Sequence, residues 1–393
     1  MQLTSIALAG SGGSGVMTAG TLLLSAAAAA GRYGLMVRTS GPQIRGGEAA
    51  ALLRLSDTQV ESLDDAFDLL LALDWQNVQR FASEIPLRRA SVLIGDDGQG
   101  EPPAVFLKDG VRFVALPLRK IAKSIAGSWP NMVAAGVAAA LAGLDRAALR
   151  AAVQSSMRRH ESAATANVGA ADAGYDAALA LRPPGLDAAA EASSASSPAA
   201  ATAARVAERG ESSAARRRRW LVSGNEAAGY GAIRGGVRFV AAYPITPATE
   251  LLEWMAPSLA KVGGTLLQAE DELASINMIV GASYGGVPSL TATAGPGLSL
   301  MAEGIGLAVA AEVPIVVVDV MRGGPSTGIP AKSEQSDLNF AVGGLHGDAP
   351  RLVVAPTSVG DCMSATQWAV RLAERLQSPA IVLSDQFMGQ ARA

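Results

Sequence analysis

The chain has 393 residues, of which 49% are hydrophobic and 17% charged, and its formal net charge is −3. A chain of this length and composition is expected to fold into two or three domains with sizeable cores. The small net charge gives no general reason to expect binding to nucleic acid or to a membrane. One cysteine, Cys362, excludes an intrachain disulfide and a four-cysteine iron–sulfur site, and no metal-ligand spacing is visible.

The amino terminus lacks the basic region of a signal peptide, and its apolar run is short. The longest apolar stretches, at 22–30 and 315–321, are too short to span a bilayer. The sequence therefore predicts a soluble, cytoplasmic protein.

The first half alternates apolar runs with segments of small residues. A run at 6–9 leads into a glycine-rich segment, and a helix is predicted over about 15–30. Five further strands are predicted, at 34–38, 49–55, 68–73, 91–96 and 111–117. Asn131 is a candidate N-cap for the apolar helix that follows it. Strands that alternate with helices predict a mostly parallel, doubly wound α/β sheet.

A G-x-G-x-x-G segment is formed by Gly10, Gly12 and Gly15 and their neighbours. Glycines let the backbone turn tightly and approach a phosphate that the helix N–H groups face. A classical NAD site also needs an acidic residue about 20 positions further on. That region reads Met-Val-Arg-Thr, which disfavours NAD and offers Arg38 as a phosphate partner. The alternative is a tight turn that only packs a strand against a helix.

The segment 39–50 places Gln43 and Arg45 between two glycine turns after a predicted strand. Loops at the carboxyl ends of strands commonly bind ligands or partners in open α/β sheets. A functional loop is therefore the prediction here, and a plain surface loop is the alternative.

The composition changes at 183–219, which is rich in alanine and serine and ends in the arginine run 216–219. This low complexity, without a strand pattern, predicts a linker. The arginine run is either a basic patch for a partner or the solvated end of the linker. The predicted domains are therefore 1–182 and 220–393, with 183–219 between them.

The second half begins another α/β pattern, whose first strand ends in the turn Tyr-Pro-Ile-Thr-Pro at 243–247. Two prolines restrict the backbone of this turn and hold the Thr246 hydroxyl at the end of the strand. The hydroxyl there either meets a ligand or caps the next helix. Further on, Glu270, Asp271 and Glu272 stand where a predicted strand meets a helix. Carboxylates in that position commonly complement the helix dipole.

Two more polar turns follow predicted strands. Gly295 and Gly297 belong to a glycine turn, and Arg322 follows a continuous β-branched strand and precedes two glycines. A guanidinium in that position is able to grip a carboxylate with two hydrogen bonds. Lys332, on the same loop, is either solvated or in contact with an anion.

These segments together resemble the 2-oxoacid:ferredoxin oxidoreductase family. The glycine loop and segment 39–50 are similar to the family's γ domain, over roughly 1–181. The turn at 243–247 and the loop after Arg322 are similar to the pyrimidine-binding domain of its α-subunit. The implied fold is a γ-type α/β domain followed by a doubly wound, transketolase-like domain that binds thiamine diphosphate. The segment 323–338 is most similar to the 2-oxoglutarate enzymes.

The resemblance implies roles for several residues. Glu270 would hydrogen-bond the aminopyrimidine of thiamine and activate the cofactor, with Glu272 as the reserve candidate, because this chemistry needs a buried carboxylic acid. Thr246 and Arg322 would hold the 2-oxoacid. Lys332 would meet a distal carboxylate or a coenzyme phosphate.

In the family the γ domain lies near coenzyme A, which is compatible with Arg38 or Arg45 close to a phosphate. The residues whose backbone would face a cofactor are Gly10, Gly12, Gly15, Gly295 and Gly297.

The implied activity is the coenzyme A-dependent oxidative decarboxylation of a 2-oxoacid, with 2-oxoglutarate favoured, to acyl-CoA and CO₂. Electrons would pass to ferredoxin or a similar acceptor. The family carries its magnesium motif and iron–sulfur cysteines on a partner β-subunit, so we expect a heteromer of the α2β2 type and an inactive chain by itself. Subunits of this type usually continue for another domain, which we expect to be missing or supplied separately.

Three alternatives stay open. The pyruvate and the branched-chain or aryl 2-oxoacid enzymes share these motifs. A shortened subunit that binds coenzyme A or regulates a complex is disfavoured by the intact Thr246, Glu270 and Arg322. An NAD(P)-dependent dehydrogenase is disfavoured by the missing acidic residue after the glycine loop.

Overall fold

The computed structural model describes residues 4–41, 47–108, 110–158, 160–181 and 220–393. The chain divides into two compact units, Met1–Leu221 and Val222–Ala393. Arg45 and the predicted linker 183–219 lie outside the described residues.

The first unit contains a six-stranded sheet of order β2-β3-β1-β4-β5-β6. Its strands are β1 (Ser5–Ser11), β2 (Tyr33–Ser40), β3 (Glu48–Ser56), β4 (Phe67–Ala72), β5 (Leu87–Asp96) and β6 (Arg112–Leu116). Its α-helices are α1 (Val16–Ala29), α2 (Leu118–Lys123), α3 (Pro130–Leu141), α4 (Arg146–Ser156) and α5 (Glu161–Ala180). All six predicted strands are confirmed. Strand β3 runs antiparallel to β1 and β2, whereas β1, β4, β5 and β6 are parallel.

Helices α3 and α5 approach each other closely through two glycines. A Cβ atom added at Gly136 would lie 1.9 Å from the carbonyl oxygen of Ala171, and one added at Gly174 would lie 2.0 Å from that of Val133. Backbone this close leaves no room for any side chain. The small-residue composition of the sequence is therefore a packing requirement of this helix pair.

We expect Gly136→Ala to lower the free energy of unfolding by about 1–3 kcal/mol, the usual cost of overpacking a core. The matched control is Gly169→Ala on α5, where the nearest atom to an added Cβ is Ile125 Cγ2 at 3.9 Å. The control should be neutral or stabilising by up to about 1 kcal/mol, because alanine favours helix over glycine. Urea unfolding of the full chain measures both, and equal midpoints for the two variants would contradict the close packing.

Asn131 does not cap helix α3, contrary to the prediction. The helix begins at Pro130, with Trp129 at the N-cap position. Proline is favoured at the first helical position because the missing N–H is one that the helix would leave unbonded. Asn131 lies inside the first turn instead, and its side-chain amide donates to the carbonyl of Gly15 at 3.2 Å.

The second unit contains a six-stranded parallel sheet of order β11-β12-β10-β9-β7-β8. Its strands are β7 (Phe239–Ala242), β8 (Thr265–Gln268), β9 (Ser289–Thr293), β10 (Ile315–Met321), β11 (Leu352–Val354) and β12 (Ala380–Asp385). Its helices are α6 (Gly224–Gly235), α7 (Thr249–Ala260), α8 (Glu272–Tyr284), α9 (Gly295–Ala310), α10 (Leu338–Gly343), α11 (Val359–Leu376) and α12 (Gln386–Gln390).

Strand β10 is buried along its whole length. Val316, Val318 and Val320 belong to the apolar cluster on one face of the sheet, and Ile315 and Val317 to the cluster on the other. Burial on both faces explains why the strand reads as a continuous apolar run rather than an alternating one. This arrangement confirms the predicted doubly wound fold. Among the described residues, no helix combines the length and apolar character needed to cross a membrane.

Candidate active site

The carboxyl ends of β7, β9 and β10 carry the turns that the sequence analysis singled out. The turn 243–247 follows β7, Gly295 begins the helix after β9, and Arg322 directly follows β10. Because these strands are parallel neighbours, the three turns lie at one edge of the sheet. Ligands of open α/β sheets bind at this edge.

The structure brings Arg322 and Thr246 together. The guanidinium of Arg322 donates from Nη1 to the carbonyl oxygen of Thr246, within a turn whose Thr246–Pro247 peptide bond is cis. Arg322 is 5% exposed, and its Nε has no hydrogen-bonding partner among the described residues. Burial lowers the pKa of Arg322, and the nearby Asp337 acts in the opposite direction. A buried guanidinium with an unused N–H is suited to bind a carboxylate.

Asn225 supports the same turn and was missed by the sequence analysis. Its side chain is 1% exposed and donates from Nδ2 to the carbonyl oxygen of Pro247 at 3.0 Å. The next carbonyl along the turn is therefore held by a different element, helix α6. The sequence did carry a signal, since Asn225 stands among small residues in its helix. A buried asparagine there needs a hydrogen-bonding partner.

Of the three adjacent carboxylates, the structure buries Glu272. Its side chain is 7% exposed at the start of α8, whereas Glu270 is exposed on the bend before it. Asp271 caps the helix, since its Oδ1 accepts from the backbone N–H of Ala274 at 2.7 Å. The buried acid expected at Glu270 is thus found at the reserve candidate Glu272.

Gly297 allows the side chain of Glu272 to pack closely against the backbone. A Cβ added at Gly297 would lie 2.8 Å from Oε1 of Glu272 and 2.0 Å from Oγ1 of Thr293. Any larger residue at this position would therefore displace the buried carboxylate or the threonine. Glycine at position 297 is explained by the packing of the Glu272 side chain against it. This explanation is more specific than close approach of the backbone to a cofactor.

A cavity of about 500 Å³ opens beside Arg322. It is lined by Gly295, Pro296, Ser299, Arg322, Gly323, Gly324, Pro325, Ser326, Thr327, Glu334, Ser336 and Asp337. Its rim is tied together, since Glu334 accepts from the N–H of Gly324 at 2.9 Å and Ser336 donates to the carbonyl of Arg322 at 2.9 Å. Lys332 is on the same loop, where its carbonyl accepts from the N–H of Gly323, but it is not one of the lining residues.

In the first unit, packing accounts for two of the three predicted glycines. A Cβ added at Gly10 would lie 2.9 Å from Ser14 Oγ, and one added at Gly15 would lie 2.4 Å from Asn131 Nδ2. Gly15 also has a φ of 87°, which favours glycine. Gly12 is exposed, and its N–H donates to the carbonyl of Gly47.

A carboxylate occupies the start of this glycine loop. Asp74 is 7% exposed and accepts from the backbone N–H of Ser11 at 3.0 Å and from its hydroxyl at 2.8 Å. A negative charge there repels a phosphate at the same point. Arg38 lies on β2 opposite Ala51 of β3, four positions before residue 42, where the described range is interrupted.

Comparison with known proteins identifies the family. Residues 230–393 match the family model described as "Pyruvate flavodoxin/ferredoxin oxidoreductase, thiamine diP-bdg", and residues 5–177 match "Pyruvate ferredoxin/flavodoxin oxidoreductase". The chain belongs to the 2-oxoacid:ferredoxin oxidoreductase family. Its two units correspond to these two matches in sequence order, as the resemblance implied.

Named relatives support this family assignment. The 2-oxoglutarate synthase subunit KorA of Archaeoglobus fulgidus is 51% identical over 172 residues, which cover 44% of this chain and 50% of that protein. The 2-oxoglutarate oxidoreductase subunit KorA of Mycobacterium tuberculosis is 43% identical over 169 residues, 42% of this chain and 26% of that protein. The chain thus matches at most about half the length of these curated relatives.

A solved structure covers the whole chain. The 2-oxoglutarate:ferredoxin oxidoreductase from Magnetococcus marinus, with 2-oxoglutarate, coenzyme A and succinyl-CoA bound, has a TM-score of 0.85 and 36% sequence identity. The match covers 100% of this chain and 65% of that one.

Proposed function

We propose that this chain is a subunit of a thiamine diphosphate-dependent 2-oxoacid oxidoreductase that decarboxylates 2-oxoglutarate oxidatively, with coenzyme A as acyl acceptor. The observation that carries the proposal is the contact of Arg322 with Thr246, at the same edge of the sheet at which Glu272 is buried. These residues lie in the unit matched by the thiamine-binding family model. The names of the relatives support 2-oxoglutarate as the substrate.

The residues present fit thiamine. Glu272 is a buried carboxyl group whose side chain packs against Gly297. We propose that Glu272, rather than Glu270, donates or accepts the hydrogen bond to the aminopyrimidine N1′, since the role requires an acid shielded from water. Bound thiamine diphosphate supplies a nucleophilic thiazolium carbon and an electron sink for decarboxylation.

Arg322 and Thr246 would orient the substrate. Nη1 of Arg322 is held by the Thr246 carbonyl, which leaves Nε to donate to the carboxylate of the 2-oxoacid. The Thr246 hydroxyl, on an exposed residue of the same turn, would donate to another substrate oxygen. Lys332 is the candidate for the distal carboxylate or for a coenzyme phosphate, and Arg38 and Arg45 are the candidates for coenzyme phosphate in the first unit.

The chain would act together with partner subunits. Residues 1–182 would serve as the γ-type domain and 220–393 as the pyrimidine-binding domain, joined by 183–219. A partner β-subunit would supply magnesium and the iron–sulfur cluster, in a heteromer of the α2β2 type that reduces ferredoxin or a similar acceptor. Relatives named as subunits support the need for partner chains.

The experiment is a viologen-reduction assay of the chain co-expressed and co-purified with its β-subunit. We expect reduction that requires 2-oxoglutarate, coenzyme A, thiamine diphosphate and magnesium together. Pyruvate and a branched-chain 2-oxoacid, tested in parallel, decide the substrate class. A cluster-loaded complex that oxidises no 2-oxoacid would refute the catalytic function and favour a coenzyme A-binding or regulatory subunit.

Asn225→Ala should weaken both the turn and substrate binding. Removing its amide leaves the buried Pro247 carbonyl without a donor, which typically costs about 1–3 kcal/mol. We expect a lower midpoint of urea unfolding and a KM for the 2-oxoacid raised more than kcat is reduced. The control is Asn277→Ala, because Asn277 is exposed on α8 and its side chain donates to the carbonyl of Leu273 in its own helix. Equal KM values for the two variants would contradict the support of the turn by Asn225.

A further inference from the structure

A buried aspartate interrupts the apolar strand β10 and has no role in the proposed chemistry. Asp319 is 0% exposed, and its neighbours across the sheet are Thr293 on β9 and Leu383 on β12. A carboxylate enclosed in this way is costly unless it is neutral or fully hydrogen-bonded. Some feature of the surrounding structure must offset that cost.

Hydrogen bonds to an ionised Asp319 do not offset the cost of burying its charge. Neither of its oxygens has a donor within reach in the described part of the chain. The carboxyl of Asp337 is placed near Asp319, because it lies against Gly295, two residues beyond the Thr293 that is opposite Asp319 in the sheet. Two carboxyl groups form a hydrogen bond only when one of them carries a proton. Burial raises the pKa of Asp319 well above its usual value, and the charge of Asp337 raises it further.

Asp337 does not cap the helix that it precedes. It occupies the N-cap position of α10, yet its side chain makes no capping hydrogen bond to that helix. The carboxyl points at helix α9 instead, where a Cβ added at Gly295 would lie 2.4 Å from Asp337 Oδ1. Its Oδ2 is buried and lacks a donor in the described residues.

We propose that Asp319 and Asp337 share a single proton, and that this pair fixes the 322–337 loop against Gly295 so that Asp319 is a positioning residue for Arg322. The effect on Arg322 rests on the function proposed above, whereas the shared proton does not. The proton resides mainly on Asp319, whose O–H donates to the Asp337 carboxylate.

The shared proton limits the negative charge around the pair. Asp337 is attracted by Arg322 and repelled by Glu334, and it accepts a hydrogen bond from Ser336. With one shared proton, the pair carries one negative charge beside one arginine. Loss of the proton as pH rises would add a second, uncompensated charge in the core and push Asp337 away from Gly295. Arg322 would then lose the carboxylate that opposes the effect of its burial.

Infrared spectroscopy of the full chain tests the shared proton without any activity. A protonated carboxyl group has a C=O stretch separate from that of a carboxylate, and D₂O shifts it. At neutral pH we expect such a band in the wild type, its loss in Asp319→Asn, and a displaced band in Asp337→Asn. Glu253→Gln, an exposed residue of α7, is the control and should leave the band unchanged. Absence of the band, or its persistence unchanged in Asp319→Asn, would overturn the proposal.

The positioning role is tested on the assembled complex through the pH dependence of KM for the 2-oxoacid. The wild-type KM should rise at alkaline pH as the proton is lost, while kcat changes less. Asp319→Asn keeps a neutral N–H donor and should abolish the alkaline rise with a KM within threefold of wild type at neutral pH. Asp319→Ala should raise KM at least tenfold. A KM unaffected by both substitutions would show that the pair does not position Arg322, even if the infrared band is present.

Discussion

Glu272→Gln is expected to reduce turnover of the assembled enzyme by about 10²–10⁴-fold, the usual contribution of a positioned acid–base group. Glutamine keeps the size of the side chain and so its packing against Gly297. It cannot exchange a proton with the aminopyrimidine, so the cofactor would bind but remain unactivated. KM for the 2-oxoacid should change little.

The matched control is Glu270→Gln, two residues earlier on the exposed bend. We expect its turnover to stay within threefold of wild type, because its side chain faces water in the described structure. Thermal unfolding of both variants checks that neither is misfolded. A reversed result, with activity lost in Glu270→Gln and kept in Glu272→Gln, would return the catalytic role to Glu270.

The choice between these glutamates shows what the sequence could not supply. The pattern located three carboxylates at a strand-to-helix junction, and dipole complementarity explained all of them equally. Which side chain is buried depends on how the first turn of α8 is rotated about its axis. The side chain of Glu272 packs against Gly297, which is more than 20 residues away in the chain.

The strands were predicted well because β4 and β10 are apolar on both faces and their signal is local. The antiparallel direction of β3 was not predicted, although β2 ends at Ser40 and β3 already begins at Glu48. A parallel connection needs about a dozen or more residues, so this short spacing was the available signal. The capping prediction for Asn131 was wrong because the contact that its side chain makes is not local. Its side chain bonds to Gly15, a partner distant in sequence.

The pairing of Asp319 with Asp337 illustrates the same limit at the site. An aspartate before a helix is an ordinary N-cap by sequence, and an aspartate in an apolar strand is an isolated exception. Only the fold places the two carboxyl groups together beneath the turn that begins α9. The sequence therefore identified Thr246 and Arg322 as candidate site residues, whereas the pairing of Asp319 with Asp337 became visible only in the fold.

Arg322→Gln should lower kcat/KM for the 2-oxoacid by about two to three orders of magnitude. Removing one partner of a buried, hydrogen-bonded charge pair costs about 2–5 kcal/mol. Here the loss has two parts, since the substrate carboxylate loses its charged partner and the Thr246 carbonyl loses the donor that fixes its turn. The fall in kcat/KM should therefore exceed that in Asn225→Ala, which removes only a hydrogen bond to the same turn.

Arg322→Lys separates the loss of positive charge from the loss of the hydrogen bond to Thr246. Lysine keeps the positive charge but lacks the planar fork, so it cannot bond the Thr246 carbonyl and a carboxylate in the same geometry. We expect an intermediate loss, mainly in KM, together with a turn as weakened as in Arg322→Gln. Arg375→Gln, an exposed residue in the last turn of α11, is the control for removing an arginine.

If Arg322→Lys were as active as wild type, charge alone would suffice and the bond to Thr246 would have no part in substrate binding. If Arg322→Gln lost no more activity than Arg375→Gln, the 2-oxoacid carboxylate would have to bind elsewhere, and Lys332 would be the next residue to substitute.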